Sequence, residues 1–321
     1  MILNSTSDAG LLSRLADNSS GLRAMLDTTL AQQSTGKIAP NYAGLGTGTR
    51  TSLDLRPAVQ HQQVWQNNID AATGRLDVAQ TAMKQIAAIA ADFYARTNNI
   101  NDVGVSQAGS IAADAKMALQ QVGQLLNTKS GDIYVFAGQD TANPPVPNTD
   151  PAVLGAALLA SDTATAPFAA TIGTAVPQVE VGEGQFVQTG LLATRNTLAV
   201  SPAPTTGSYM RDIMRGLANL ATLTDTSPNA VSLAADTRSR LGSAITAIAA
   251  ETGSLGDVQQ SLNTRKTTLA AMQTTLSVQV SNVEEVDMAA TLSRVSALQT
   301  QLQASYQVIA GIKDLSLSKY L

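Results

Sequence analysis

"LGSAITAIAAETGSLGDVQQSLNTRKTTLAAMQTTLSVQVSNV", residues 241–283, is the stretch on which the fold turns. Leu241, Ile245, Ile248, Leu255, Leu262, Leu269, Leu276, Val280 and Val283 keep a near-heptad register, broken by Thr252, Gln259, Lys266 and Gln273. Apolar residues recurring at threes and fours over so long a run mark a helix that lies along another helix. Gly253 and Gly256 are expected to weaken it locally, since glycine disfavours a helix interior.

The partner helix lies upstream. Leu55, Val59, Ile69, Leu76, Met83, Ile86 and Phe93 share one helical face, with Ala72, Ala79 and Ala90 in the gaps. This predicts a helix from about Pro57 to Arg96, roughly 60 Å long at 1.5 Å per residue. A shorter helix follows, with Ala108, Ile111, Ala115, Ala118, Val122 and Leu125 on its face, and stops at "NTKSGD", where Lys129 and Gly131 are C-terminal signals. "SYMRDIMRGLANLATL" (208–223) reads as one more short amphipathic helix. The expected fold class is mainly α, a long antiparallel helical bundle or coiled coil built from both chain ends.

Composition agrees. Aromatic residues are 3% of the chain, which fits long helices packed through small side chains rather than a pocketed enzyme. The net charge of -4 argues against nucleic acid as a partner, which needs a basic footprint. The absence of cysteine excludes disulfides, zinc–thiolate sites and thiol nucleophiles. "AVLGAALLA" (152–160) is too short an apolar run to span a bilayer, so no membrane partner is expected. "MILNSTSDAGLL" lacks a basic region followed by an apolar run, and no cleavable signal peptide is expected.

The middle of the chain differs. Eight of the eleven prolines fall between Pro144 and Pro204, and no Lys or Arg occurs from Ser130 to Thr194. Alternating pieces such as "QVEVGEGQFVQ" (178–188) predict short strands and turns in a small β-containing insert domain. At the ends, Leu12, Leu15, Leu22, Leu26 and Leu30 stripe one helix, and Met288, Leu292, Val295, Leu298, Leu302, Ile309 and Ile312 another. Neither has a local partner, so the simplest solution pairs them. The expected division is 1–45 with 284–321 as a terminal coiled coil, 46–136 with 207–283 as the bundle, and 137–206 as a variable, β-rich insert. Leu15, Leu22, Leu26, Leu298, Leu302, Ile309 and Ile312 are the candidate residues for terminal-helix packing between and within subunits.

Candidate chemistry is sparse. His61, the single histidine, sits among glutamines without a catalytic partner motif. "GLGTGT" (44–49) lacks the GK[ST] ending of a phosphate loop and reads as a flexible hinge. Glu284, Glu285 and Asp287 cluster without further converging ligands, and are read as an acidic start to the last helix. Asp140, Asp150, Asp162, Glu180 and Glu183 of the insert have no recognisable catalytic spacing. No catalytic residue, metal or cofactor is expected, and the chain is read as a structural protein rather than an enzyme.

Several segments resemble the flagellin superfamily. "LAQQSTGKIAPNYAGL" (30–45), "NNIDAATGRLDVAQTAMKQI" (67–86) and "NVEEVDMAATLSRVSALQTQLQASYQVI" (282–309) are similar to its N-terminal segment, the helix that follows and its C-terminal signature. "GDIYVFAGQDTANPPV" (131–146) and the ending "LQASYQVIAGIKDLSLSKYL" (302–321) are closer to the hook-associated branch than to filament subunits. "NYAGLGTGTRTSLDL" departs from the family, which often carries an acidic run there, whereas this chain has only Asp54. The resemblance implies a structural subunit of the bacterial flagellum that joins hook to filament, with a filament-forming subunit as the alternative. It further implies export through the flagellar type III apparatus with an export chaperone. Copies of the chain would form a ring or helical tube beside a neighbouring hook-associated protein and flagellin, outside the cell.

Overall fold

The computed structural model describes residues 3–103, 107–160 and 166–317. It is mainly helical: α1 (Leu3–Thr35), α2 (Gly48–Val103), α3 (Ala108–Leu126), α4 (Pro151–Ala160), α5 (Tyr209–Ala221), α6 (Ala230–Glu284) and α7 (Met288–Leu317). Two antiparallel hairpins interrupt the helices, β1 (Lys129–Ser130) with β2 (Ile133–Tyr134) and β3 (Gln178–Gly182) with β4 (Gln185–Gln188). The chain divides into two compact units, one of residues 1–61 and 271–321, the other of residues 62–270.

Within the larger unit, α2 and α6 run antiparallel. Gln259 Nε2 donates to Asp77 at 2.6 Å, and Lys266 reaches Asp70 at 2.5 Å, so the two sequences meet in opposite directions. The stripe Ile69, Ala72, Leu76, Ala79, Met83, Ile86, Ala90 and Phe93 is buried, as are Leu241, Ile248, Leu255, Leu262 and Leu269. Helix α3 folds back along α2, tied by Arg96 to Asp114 at 2.6 Å, and presents Ile111, Ala115, Leu119, Val122 and Leu126 to the same core. Helix α5 starts at Ser208, whose hydroxyl accepts from the Arg211 amide, and seals the core with Ile213, Met214, Leu217 and Leu220. Alanines at core positions let these helices approach closely, which is how so few aromatic residues suffice.

The insert contributes β3–β4, helix α4 and a 3-10 turn at Ala170–Ile172. Leu154, Leu158, Phe168, Val179, Val181, Leu191 and Leu192 join the bundle core. "AVLGAALLA" is therefore a core helix that buries two leucines. No helix among the described residues is long and apolar enough to cross a membrane.

Two local expectations are corrected. Helix α2 begins at Gly48, well before Pro57, which lies inside it. Proline removes one amide donor and crowds the carbonyl four residues earlier. Here Leu53 is half exposed and Pro57 is exposed, so water can serve the orphaned carbonyl. "GLGTGT" is likewise not a free hinge: Tyr42–Leu45 forms a 3-10 turn capped by Asn41, and the segment then enters α2. Gly253 and Gly256 leave α6 unbroken, and an added Cβ at either would meet nothing within 4 Å.

Candidate functional site

The smaller unit brings the chain ends together. Ser19 and Ser305 hydroxyls lie 2.6 Å apart, and Lys37 bridges Glu285 in antiparallel fashion, so α1 and α7 run side by side in opposite directions. Counting outward from the serine pair puts Leu15 level with Ile309, Leu22 with Leu302, Leu26 with Leu298 and Thr29 with Val295. Each helix advances by alternating threes and fours through these levels, the geometry of a coiled-coil seam. Leu298, Val295, Thr29, Thr291 and Ser19 are buried, while Leu15, Leu22, Leu26, Leu302 and Ile309 stay half covered. The Ile312 and Leu12 side chains and the last four residues lie outside the described residues.

Other apolar side chains of this unit face outward. Met25 is 54% exposed, Leu292 48%, Tyr306 47% and Val308 51%. Leu292 belongs to the predicted stripe of the last helix, and Leu30 and Met288, which the stripes also include, are exposed as well.

The seam is closed at one end by a backbone and side-chain knot. The Ile38 amide donates to the Glu284 carbonyl at 2.7 Å, and the Val286 amide to the Gly36 carbonyl at 3.0 Å. Gly36 turns with φ +71°, a left-handed conformation that glycine adopts without strain. The Glu284 carboxylate accepts from Arg56 Nε at 2.6 Å, from Arg56 Nη2, and from Ser52 Oγ at 2.5 Å. The Arg56 hydrogen bonds, helped by Ser52, lower the Glu284 pKa to about 2, and Glu284 in turn raises that of Arg56.

The acidic cluster thus divides its labour. Glu284 ends α6 and holds α2, which corrects its placement at the start of the last helix. Asp287 alone caps α7, accepting from the Ala289 and Ala290 amides at 2.9 and 3.1 Å. Glu285 bonds Ser281 within its own turn.

Elsewhere the carboxylates serve local structure. Asp150 caps α4 through the Ala152 amide, and Asp140 accepts from Asn143. Glu180 and Glu183 lie on the β3–β4 hairpin, His61 is exposed on α2, and Asp162 lies outside the described residues. Among the described residues, no group of three or more His, Asp or Glu side chains could hold a metal ion.

The Arg56–Ser52–Glu284 knot escaped the sequence reading. Its signal is modest: Ser52 and Arg56 sit four residues apart on one helical face, yet nothing local couples them to Glu284. Glu251, fully buried on α6, was also missed. Its signal is weak as well, because the heptad register places Thr252, not Glu251, between Ile248 and Leu255.

Paired chain ends, a long antiparallel bundle and a strand-containing middle make a flagellin-like fold. The family model for the bacterial flagellin C-terminal helical region matches residues 239–321, which comprise most of α6 and all of α7. Among solved structures, the chain is similar to one from Vibrio parahaemolyticus described as a flagellar hook-associated protein. The two share 12% identity at a TM-score of 0.55, with 74% of this chain and 97% of that one covered. A likeness to FlgL of Xanthomonas campestris has 14% identity, covers 71% of this chain and 99% of that one, and has a TM-score of 0.46. No curated protein matches the chain in sequence.

Proposed function

We propose that this chain is a structural subunit of the bacterial flagellum, acting as an adaptor at the hook–filament junction and not as an enzyme. The observation that carries the reading is the flagellin C-terminal match, which takes in α7, one of the two helices of the partly covered terminal seam. A two-helix pair leaves Leu15, Leu22, Leu26, Leu302 and Ile309 partly in water, and each has apolar area still to bury. Neighbouring copies, arranged head to tail in a ring or tube, would supply that cover. The outward-facing Met25, Leu292, Tyr306 and Val308 would meet the next subunit, a hook-associated protein on one side and flagellin on the other.

On this reading the chain is exported by the flagellar type III apparatus with a dedicated chaperone and works outside the cell. A second reading, a filament-forming flagellin, is favoured by the family model itself, which describes flagellin. Electron microscopy of the purified chain, alone and mixed with isolated hooks, separates the two. A junction adaptor adds to hook ends and forms no filaments alone, whereas free polymerisation establishes the filament subunit. A chain that neither binds hooks nor polymerises overturns both readings.

A further inference from the structure

The fully buried Glu251 carboxylate has an unusual set of partners. It accepts from three consecutive backbone amides of the strap that leads out of the insert. Thr197 donates at 3.3 Å, Leu198 at 2.9 and 3.2 Å to the two oxygens, and Ala199 at 2.6 Å. Successive amides converging on one point form an anion-binding nest, here filled by the chain's own side chain. The strap continues past this point with Val200 89% exposed, then returns to α6 through the Pro202 carbonyl, which accepts from Ser243 Oγ.

The other side of the insert is tied to the same helix. Arg265 Nε donates to the Val181 carbonyl of β3 at 3.1 Å, and Asn68 Nδ2 of α2 to the Glu180 carbonyl at 3.2 Å. Glu251 and Arg265 stand on α6 about 21 Å apart along the axis at 1.5 Å per residue. Attachments that far apart on one rigid helix stop a docked element from pivoting. We propose that Glu251 is a positioning residue, a clamp that fixes the 197–202 strap and so makes the insert a rigid side arm of the bundle. Burying a carboxylate is costly unless its lone pairs are satisfied, and the strap amides satisfy them. The clamp therefore acts in both directions, since strap and carboxylate each need the other. It holds whichever flagellar role the chain plays.

Backbone amide exchange on the full chain tests the proposal, comparing the strap with helix α3 in wild type and in Glu251→Gln. In wild type the Thr197, Leu198 and Ala199 amides should exchange more slowly than that of Val200, a residue 89% exposed. In Glu251→Gln the three should speed up by roughly tenfold or more, the size expected for losing charge-assisted hydrogen bonds, while α3 stays protected. The proposal is overturned if the three amides match Val200 in wild type. It also fails if the variant leaves them unchanged, or if it accelerates strap and α3 alike. Should Glu251→Gln not fold, the wild-type comparison decides alone.

Discussion

The bundle and the terminal pair use the same grammar of threes and fours and reach different degrees of burial. In the bundle, Leu76, Met83, Leu255 and Leu262 are at most 1% exposed, because α3, α5 and the insert share one core with the α2–α6 seam. In the terminal pair, leucines of identical spacing stay half covered, because two helices shield only the strip between them. Pattern decides which face is apolar; the number of helices around that face decides whether it is dry. A terminal pair of this kind draws little stability from its own core, and its leucines are available to other surfaces.

The sharpest break between the regions comes from truncation. Removing residues 303–321 takes away half of the seam around Ser19, Leu15 and Ile309 but leaves every bundle residue in place. The thermal unfolding transition of the bundle should persist, while addition to hooks or filaments, read by electron microscopy, should be lost completely. Assembly by the truncated chain would mean that the terminal pair is not the assembly surface.

Single core deletions give the next largest effect. Leu76→Ala should cost about 3 kcal/mol in urea unfolding, as expected where a fully buried leucine leaves a cavity. Leu302→Ala in the terminal pair should cost about 1 kcal/mol or less in the free chain, since the leucine is only partly buried there. Its loss should appear in assembly instead. Equal costs at the two positions would show that the terminal pair is as well packed as the bundle.

The contrast also explains what was legible in the sequence. The long helices, their apolar faces and the chain-end pairing follow from periodicity, a local signal that survives without an alignment. Glu251 does not stand out because it lies one position off the heptad stripe, which places Thr252 between Ile248 and Leu255. Only the fold brings the 197–199 amides to it. The knot is similar: Glu284 looked like part of an acidic helix start, since its partners Ser52 and Arg56 are distant in sequence. Pro57 places the expected start of α2 too late, because local rules count the lost hydrogen bond and not the solvent access of an exposed face.

The knot offers a pH test confined to the smaller unit. The Glu284 carboxyl is depressed to about 2 from an ordinary value of 4.5, mainly by Arg56. A depressed folded-state pKa adds stability that is fully present above the unfolded value and is lost as pH falls through the folded one. Protection of the Ile38 and Val286 amides should therefore weaken between about pH 4.5 and 2. Glu284→Gln should remove that component of the pH dependence and cost about 1 kcal/mol locally at pH 7, since Arg56 is partly solvated. The bundle amides should not follow. If the Ile38 amide in Glu284→Gln keeps the wild-type acid response, another group holds the knot.

The smallest expected effect makes the finest distinction. Gly256 in α6 and Gly311 in α7 both lie in helix interiors with open space where a Cβ would stand. Replacing either with alanine lowers the entropy of the unfolded chain and improves helix propensity, a gain of about 0.5–1 kcal/mol in each case. The gain should be read out differently. In Gly256→Ala it should raise the urea midpoint, because α6 unfolds together with the bundle it anchors. In Gly311→Ala it should leave that midpoint alone and slow amide exchange only along α7, because a half-covered helix opens on its own. A raised midpoint in both variants would show that the terminal pair and the bundle unfold as one cooperative body, and that half-covered leucines alone do not uncouple them.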